Sequence, residues 1–204
     1  MKLTDCHGDF TQLRSEMTKK LAAICKTLEH DILTIEQYNI QILNDIEDIL
    51  KDLSELKSTT STYFITGLLT EYTENTAEIS RAILTLSLKR YGALIVIEKQ
   101  EPVSPLIRAG TPVQAQISSH LLESIFHPES PLHDGAVLIR EDMVLSAANQ
   151  LPTTNQIFWG RAFDPREMSA VGLSERCDAL ILIISDSGST SFCIDGSLYP
   201  FSAK

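Results

Sequence analysis

The densest group of chemically capable side chains lies at residues 130–136, where Ser-Pro-Leu-His-Asp-Gly-Ala opens into an apolar run. Pro131 restricts the approach to this run, and Gly135 allows a ligand to come close to the backbone. His133 and Asp134 are neighbours, so they could bind a metal ion, accept a proton from a hydroxyl group, or both. The alternative is an ordinary turn, in which Asp134 accepts hydrogen bonds from nearby amides and His133 is merely exposed.

A second candidate segment covers residues 166–175 and begins with an arginine. Asp164 and Pro165 precede it and are typical of a helix start, because aspartate caps the first turn and proline suits it. An arginine beside a helix N-terminus is a candidate phosphate ligand. The alternative is that Arg166 is a surface residue paired with Glu167 or Asp164.

A third candidate segment, Ser-Asp-Ser-Gly-Ser at residues 185–189, follows the apolar run 179–184. Ligands of α/β sheets usually bind where buried strands end, so this segment is also a possible binding loop. The sequence contains no Walker A loop, no GxGxxG and no nucleophile elbow. Its five histidines show no His-x₃-His pattern, which argues against a dedicated zinc site.

These segments require a framework of strands and helices, and residues 62–204 supply its pattern. The apolar spacing predicts a buried helix over 77–88, with Gly92 as its C-terminal cap. Further helices are predicted over 118–126 and 167–177. Strands are predicted over 93–97, 113–117, 136–139, 143–147, 179–185, 191–194 and 198–201. The fold class is therefore α/β (α+β), a mixed β-sheet surrounded by helices and preceded by an N-terminal helical hairpin.

The N-terminal hairpin is predicted from two amphipathic patterns. One helix is expected over about residues 9–28, the join near 29–31, and a second helix from Ile32 onward. Steps of three and four residues connect a heptad seam, which consists of Ile32, Ile35, Asn39, Ile42, Ile46, Ile49, Leu53 and Leu56. The seam could pack within the chain or against other copies, and its asparagine favours association because a buried Asn often fixes helix register. Residues 57–62 are polar and are predicted to be a linker, which gives a regulatory or oligomerisation hairpin at 1–61 and a second domain at 62–204.

Composition excludes several classes of function. Seventeen Lys and Arg against 27 Asp and Glu give a net charge of −10, which argues against binding of nucleic acid or anionic membranes. No apolar run is long enough to span a membrane, and the N-terminus lacks the apolar core of a signal peptide. The widely spaced Cys6, Cys25, Cys177 and Cys193 fit reduced thiols. We therefore expect a cytoplasmic protein.

Taken together, the three segments resemble the diadenylate cyclase domain, whose members condense two ATP molecules into cyclic di-AMP. The resemblance covers residues 63–204 and includes the motif at 130–137, Leu151-Pro152, Gly-Leu-Ser-Glu at 172–175 and Asp178-Ala179. A helical N-terminal segment with one cyclase domain is similar to the short sporulation-type members found in Bacillus relatives. The resemblance implies a homo-oligomer, assembled through the N-terminal helices and the cyclase domain, in which two ATP-bearing subunits face each other.

The resemblance also assigns roles to residues of the first motif. Asp134 would activate the 3′-hydroxyl of ATP, and Gly135 and Ala136 would line the nucleotide. Leu151 would contact the base. His133 would help to hold a Mn²⁺ or Mg²⁺ ion, which would neutralise phosphate charge and polarise the leaving group.

The other two segments depart from the family pattern. Counting back without gaps from Gly-Leu-Ser-Glu, the family's Arg-His-Arg falls on Arg166, Glu167 and Met168, so only the first arginine is kept. Where the family has Ser-Glu-Glu-Thr-Gly, this chain has a shorter loop, in which Ser185 would bind nucleotide and Asp186 would reach the metal. Two hypotheses follow: an active cyclase gated by its N-terminal helices, or an impaired relative that binds nucleotides or regulates.

Overall fold

The chain divides into two compact units, Met1–Lys57 and Ser58–Lys204. The computed structural model describes residues 6–34, 40–155 and 163–202. Helix α1 spans Cys6–Thr34, and helix α2 spans Gln41–Tyr72 and therefore begins in the first unit and ends in the second. The two predicted N-terminal helices are thus confirmed, and both end later than their sequence patterns indicated. The predicted start of the second helix at Ile32 is wrong, because Ile32 belongs to α1 and α2 begins at Gln41.

The first unit is held by a small apolar core between its helices. Ile24 of α1 is buried with Ile49 and Leu56 of α2, and Met17 packs against them. Lys20 and Glu55 form an ion pair across the helices, with Nζ 3.3 Å from Oε2. The predicted join at 29–31 is wrong, because α1 continues to its end at residue 34. Ile35 and Asn39 of the predicted seam lie outside the described residues.

The predicted linker at residues 57–62 is also wrong, since α2 is helical throughout this stretch. Ser and Thr have low intrinsic helix propensity, but packing of an apolar face commonly outweighs propensity. The next turns of the same helix bury Ile65, Leu69 and Tyr72 in the core of the second unit. These contacts explain why the helix persists through a polar sequence.

The second unit is built on one seven-stranded sheet. Its helices are α3 (Thr76–Lys89), α4 (Ser119–Phe126) and α5 (Pro165–Ser174), and a short 3-10 turn spans Ser104–Leu106. Its strands are β1 (Ala93–Glu98), β2 (Thr111–Gln116), β3 (Ala136–Arg140), β4 (Met143–Asn149), β5 (Leu180–Ile184), β6 (Thr190–Ile194) and β7 (Ser197–Phe201). Their order is β2-β4-β3-β1-β5-β6-β7. Only β1 and β3 pair in parallel among these strands. The predicted mixed sheet with covering helices is confirmed.

The central strands are covered on both faces. All six residues of β1 and all five of β5 are buried, as expected for strands between two layers. One face packs against α3 and α4, and it includes Ile79, Leu86 and Leu122. The other packs against α5 through Ala170 and Leu173. The sheet is therefore a rigid platform, and the loops at its edges are held in place by it.

Two tight connections use backbone conformations with positive φ. Asp195 and Gly196 have φ of +48° and +70°, as a two-residue hairpin turn requires, and they join β6 to β7 as predicted. The end of α3 differs from the prediction. Arg90 takes the left-handed cap position with φ of +57°, and its N–H group bonds back to the helix. Gly92 is therefore not the helix cap.

Candidate active site

The three candidate segments converge at one end of the sheet, where β1 and β3 begin and β5 ends; the row of strand ends there is called the sheet edge below. Ala93, the first residue of β1, pairs with Ile184, the last residue of β5. Two residues further along β1, Ile95 pairs in parallel with Val137 of β3. The residues just before β1, just before β3 and just after β5 therefore lie side by side. Because adjacent strands are about 4.8 Å apart, the 133–135 and 185–186 segments are about 10 Å apart across the sheet.

The end of β4 arrives at the same edge. Asn149 pairs with Ala136, so Leu151 follows two residues beyond the shared edge. Leu151 is half-buried and packs against the core on the α5 face. Its placement is compatible with one apolar wall of a nucleotide site, the role that the resemblance implied.

Asn149 is a site residue that the sequence reasoning missed. Its side chain is 1% exposed, and its Nδ2 donates to the carbonyl of Ala136 at 2.8 Å. Its Oδ1 accepts from the N–H of Gly110 at 3.0 Å and from Ser146 Oγ at 2.9 Å. The amide therefore fixes the first residue of β3 to the end of β4. Its only sequence signal was a polar residue at the end of an apolar strand.

Gly135 is required by the backbone that carries the first motif. Its φ is +106°, a backbone conformation that L-residues with a side chain rarely adopt. A Cβ atom there would lie 2.7 Å from the carbonyl oxygen of Asn149 and 2.9 Å from the carbonyl carbon of Ala148. The glycine thus lets the chain cross closely over β4 just before β3 begins.

His133 and Asp134 are presented to solvent by this crossing. The Nδ1 atom of His133 lies 2.6 Å from the carbonyl oxygen of Ser130. Because a carbonyl can only accept, Nδ1 carries the proton, which leaves the Nε2 lone pair for a metal ion or another donor. The exposed Asp134 carboxylate is accessible to a ligand bound at this edge.

Arg166 and Asp186 meet in an ion pair, with Nη1 3.0 Å from Oδ1. The first belongs to the opening turn of α5 and the second to the loop after β5, so the pair connects two of the three segments. Their side chains are 36% and 73% exposed. The pair lies directly above Gly92, where an added Cβ would be 2.1 Å from Asp186 Oδ1 and 2.4 Å from Arg166 Nη2. The partner of Arg166 is thus neither Glu167 nor Asp164.

Glu167 stabilises the start of α5. Asp164 Oδ1 accepts from the Glu167 N–H at 2.8 Å, and Glu167 Oε2 accepts from the Asp164 N–H at 3.1 Å. This reciprocal arrangement is a capping box, and the Glu167 side chain is buried within it. The Glu167 carboxylate is therefore directed to its own helix.

Replacing Glu167 by alanine is expected to lower the free energy of unfolding by about 0.5–2 kcal/mol, because the capping interaction is lost. Glu167→Gln is the matched control, since glutamine also accepts the reciprocal hydrogen bond in a capping box. Urea denaturation of both variants measures the difference. Equal stability of the alanine and glutamine variants would contradict a capping role.

The loop after β5 is ordered by its serines. Ser185 Oγ lies 2.7 Å from both Ser187 Oγ and Ser189 Oγ, and it accepts from the Ser189 N–H at 3.1 Å. The Ser185 N–H donates to the carbonyl of Ser189 at 2.9 Å. This closed loop holds Asp186 at its exposed tip. Ser185 is thereby occupied with the loop itself, in addition to any role toward a nucleotide.

Two buried thiols lie in the second unit. Burial raises the pKa of the Cys193 thiol to about 12, with Glu167 adding to the effect and Ser174 opposing it. Burial likewise raises the pKa of the Cys177 thiol. Because the thiolate is the reactive form, neither cysteine is suited to act as a nucleophile near neutral pH.

A metal ion at this edge would need ligands from the substrate. Residues 6–34, 40–155 and 163–202 contain no cluster of three or more His, Cys, Asp or Glu side chains placed to bind a metal. Mg²⁺ commonly uses one or two carboxylates and takes its other ligands from water and substrate phosphates. An ion shared with bound phosphates would have Asp186 and the Nε2 atom of His133 as its candidate ligands from the protein.

An open cavity of about 400 Å³ lies beside the first motif. Its walls are Glu123, Ser124, His127, Glu129 and Ser130. His127 makes an edge-to-face contact with Tyr91, with ring centroids 5.3 Å apart. Ser130 is the point at which the first segment borders this cavity, whereas Asp134, Gly135, Arg166 and the 185–189 loop do not line it.

Comparison with protein-family models gives two matches along the chain. The family described as DisA bacterial checkpoint controller nucleotide-binding matches residues 80–198. The family described as diadenylate cyclase CdaS, N-terminal, matches residues 5–72. The first match contains all three segments at the sheet edge, and the second contains α1 and α2.

Two Bacillus proteins named CdaS are similar to this chain over most of its length. Diadenylate cyclase CdaS of Bacillus thuringiensis is 44% identical over 162 residues, which are 79% of this chain and 81% of that protein. Cyclic di-AMP synthase CdaS of Bacillus subtilis is 40% identical over 171 residues, which are 82% of this chain and 81% of that protein.

Solved structures agree with these matches. A Bacillus cereus protein described as a hypothetical membrane spanning protein aligns with a TM-score of 0.72 and 38% identity over 99% of this chain and 100% of its own. A double mutant of DacA from Staphylococcus aureus aligns with a TM-score of 0.58 and 35% identity, over 61% of this chain and 83% of its own. Among the described residues, no helix has the length and apolar character needed to cross a membrane. The chain belongs to the diadenylate cyclase domain family and carries the N-terminal segment of its CdaS members.

Proposed function

We propose that this protein condenses two ATP molecules into cyclic di-AMP with release of two pyrophosphates. The observation that carries the proposal is the convergence of an exposed Asp134, Gly135 and Arg166 with the 185–189 loop at one sheet edge. The names of the CdaS relatives support the same reaction. Three free thiols among the described residues, two of them buried, fit the reducing cytoplasm in which we place the enzyme.

In the proposed reaction the 3′-hydroxyl oxygen of one ATP attacks the α-phosphorus of the other. The new P–O bond forms as the bond to pyrophosphate breaks, and the Asp134 carboxylate accepts the hydroxyl proton. A second, equivalent attack then closes the ring: the 3′-hydroxyl of the other nucleotide attacks the α-phosphorus of the first, and the second pyrophosphate leaves. The exposure of Asp134 supports this scheme, because the acceptor nucleotide would be carried by a facing subunit.

The remaining residues of the edge bind and orient the nucleotide. Gly135 and Ala136 would contact it through the backbone, and Leu151 would pack against the base. Arg166 would bind the triphosphate, and Ser185 would hold the neighbouring loop in position. Rigid placement of these groups on the sheet supplies the proximity on which phosphoryl and nucleotidyl transfer depend.

A divalent metal ion, Mn²⁺ or Mg²⁺, would be held by His133 and Asp186 together with the phosphates. When bound, it would neutralise phosphate charge and polarise the leaving group. Asp186 must then exchange Arg166 for the metal, since the two side chains are paired in this structure.

The N-terminal helices offer a surface for self-association and gating. Their described residues include many large apolar side chains that remain exposed: Leu21, Leu28, Ile32, Leu33, Ile40, Leu43, Ile46, Leu50 and Leu53. An apolar surface of this extent favours contact with other copies of the chain. We propose that it assembles the homo-oligomer in an arrangement that keeps active sites from facing each other.

The reaction is tested by incubating the purified full-length chain with ATP and either Mn²⁺ or Mg²⁺. Chromatography and mass spectrometry should then detect cyclic di-AMP and pyrophosphate. The competing hypothesis, an impaired relative, rests on Met168 and on the pairing of Arg166 with a carboxylate. ATP binding by calorimetry without any product would support that hypothesis instead.

Gating predicts that a fragment of residues 58–204 forms cyclic di-AMP severalfold faster than the full-length chain. The fragment keeps Ile65, Leu69 and Tyr72 in the core, and it keeps Thr62, whose Oγ1 accepts from the Ser202 N–H at 2.8 Å. Initial rates per active site and the mass from light scattering should be measured for both proteins. Equal rates would contradict gating, and an unchanged oligomer would contradict assembly through the helices.

A further inference from the structure

We infer that Asp186 forms an ion pair with Arg166 until nucleotide phosphates displace the carboxylate, and that Gly92 provides the space in which the two side chains meet. The inference deepens the proposed function and rests on it, because it takes Arg166 as the triphosphate ligand. It assigns Asp186 and Gly92 a role in positioning the arginine before the substrate arrives. We refer to Arg166, Asp186 and Gly92 as the arginine latch.

The geometry of the latch is specific. The Arg166 Nη1 to Asp186 Oδ1 distance is 3.0 Å, although the residues come from a helix and a loop that are separated in sequence. The backbone before β1 passes directly beneath the pair. A Cβ on Gly92 would lie 2.1–2.5 Å from atoms of both side chains, so no other residue at this position leaves the pair undisturbed.

The strength of the latch follows from its exposure. Asp186 is 73% exposed, and ion pairs between exposed side chains are weak and readily broken. A triphosphate carries several negative charges and offers the guanidinium more favourable hydrogen bonds than one carboxylate. We therefore expect nucleotide binding to break the Arg166–Asp186 ion pair, and this competition should weaken the affinity for ATP a few-fold.

Isothermal titration of the full-length chain with ATP, in buffer with EDTA, tests this inference without any contribution from a metal. Asp186→Asn is expected to lower the Kd for ATP about two- to fivefold, because the guanidinium is released and a nearby negative charge is removed. Asp195→Asn is the matched control. Asp195 is exposed at the β6–β7 turn, which lies at the opposite edge of the sheet, and asparagine accepts its positive φ. The Kd of this control should not change.

The combination with Arg166→Gln separates the latch from a simple charge effect. The latch predicts that the gain from Asp186→Asn shrinks markedly when Arg166 is replaced. Gains of equal size in both backgrounds would overturn the latch, while ATP binding itself would leave the proposed nucleotide site standing.

Gly92→Ala provides a second route to the same result. The new methyl group should push the two flexible side chains apart, so Asp186→Asn should bring little further gain in that background. An undiminished gain would contradict the role of Gly92. Failure of every variant to bind ATP in EDTA would overturn the latch, which acts on metal-free ATP, while formation of cyclic di-AMP in the presence of metal would leave the proposed function standing. ATP binding that is insensitive to Arg166→Gln would overturn the phosphate role of the arginine.

Discussion

Replacing Asp134 by asparagine is expected to lower the rate of cyclic di-AMP formation by a factor of about 10²–10⁴, the usual contribution of a positioned general base. Asparagine keeps the shape of the side chain but does not accept the proton of the 3′-hydroxyl. Initial rates at saturating ATP and metal measure the effect. Because Asp134 is exposed, the unfolding midpoint should stay that of the parent chain.

The control for this prediction is Asp195→Asn, which makes the same chemical change at the opposite edge of the sheet. Its rate should equal that of the unmodified protein. ATP affinity should be retained in both variants, so that the loss at Asp134 appears in kcat. If the Asp134 variant keeps its rate within about tenfold of the control, general-base catalysis by this residue is contradicted.

Replacing Gly135 by alanine is expected to lower the free energy of unfolding by about 2–5 kcal/mol, from backbone strain and overpacking combined. The strain arises because φ is +106°, and the overpacking because the new Cβ would lie 2.7 Å from the carbonyl oxygen of Asn149. Both atoms in conflict belong to fixed parts of the sheet edge, so relief requires movement of the backbone. Urea denaturation should show a lower midpoint, and the variant should lose cyclase activity.

Gly92→Ala is the matched control, because it also adds one methyl group at the same sheet edge. The atoms nearest to its Cβ are the ends of the Arg166 and Asp186 side chains, which can move away. Its denaturation midpoint should therefore stay close to that of the parent protein. Equal destabilisation of the two variants would contradict the distinction between a backbone conflict and a side-chain conflict.

The strands of the second unit could be predicted because their apolar composition indicates that they are buried. Residues 93–97 and Leu180–Ile184 are continuous apolar runs rich in β-branched residues, which is the pattern of strands covered on both faces. Residues 57–62 show the opposite case. Their polar composition predicted a linker, but packing of the following turns of α2 decides the conformation, and no local pattern carries that information.

The candidate site was predictable in its parts but not in its connections. The motif around Gly135 and the helix start at Asp164 followed from residue types and spacing. The pattern Asp164-x-x-Glu167 is also typical of a capping box, so the role of the glutamate could have been predicted from the sequence. The pairing of Arg166 with Asp186 above Gly92 depends on the register of β1 with β5, which the sequence alone does not specify.

The most direct test of the whole account is a crystal structure of the full-length chain with a non-hydrolysable ATP analogue. The account predicts that the nucleotide lies against Gly135 and Leu151, with its triphosphate at Arg166 and its ribose 3′-hydroxyl directed toward the Asp134 carboxylate of a facing subunit. A nucleotide bound elsewhere, for example in the cavity lined by Glu123 and His127, would contradict it.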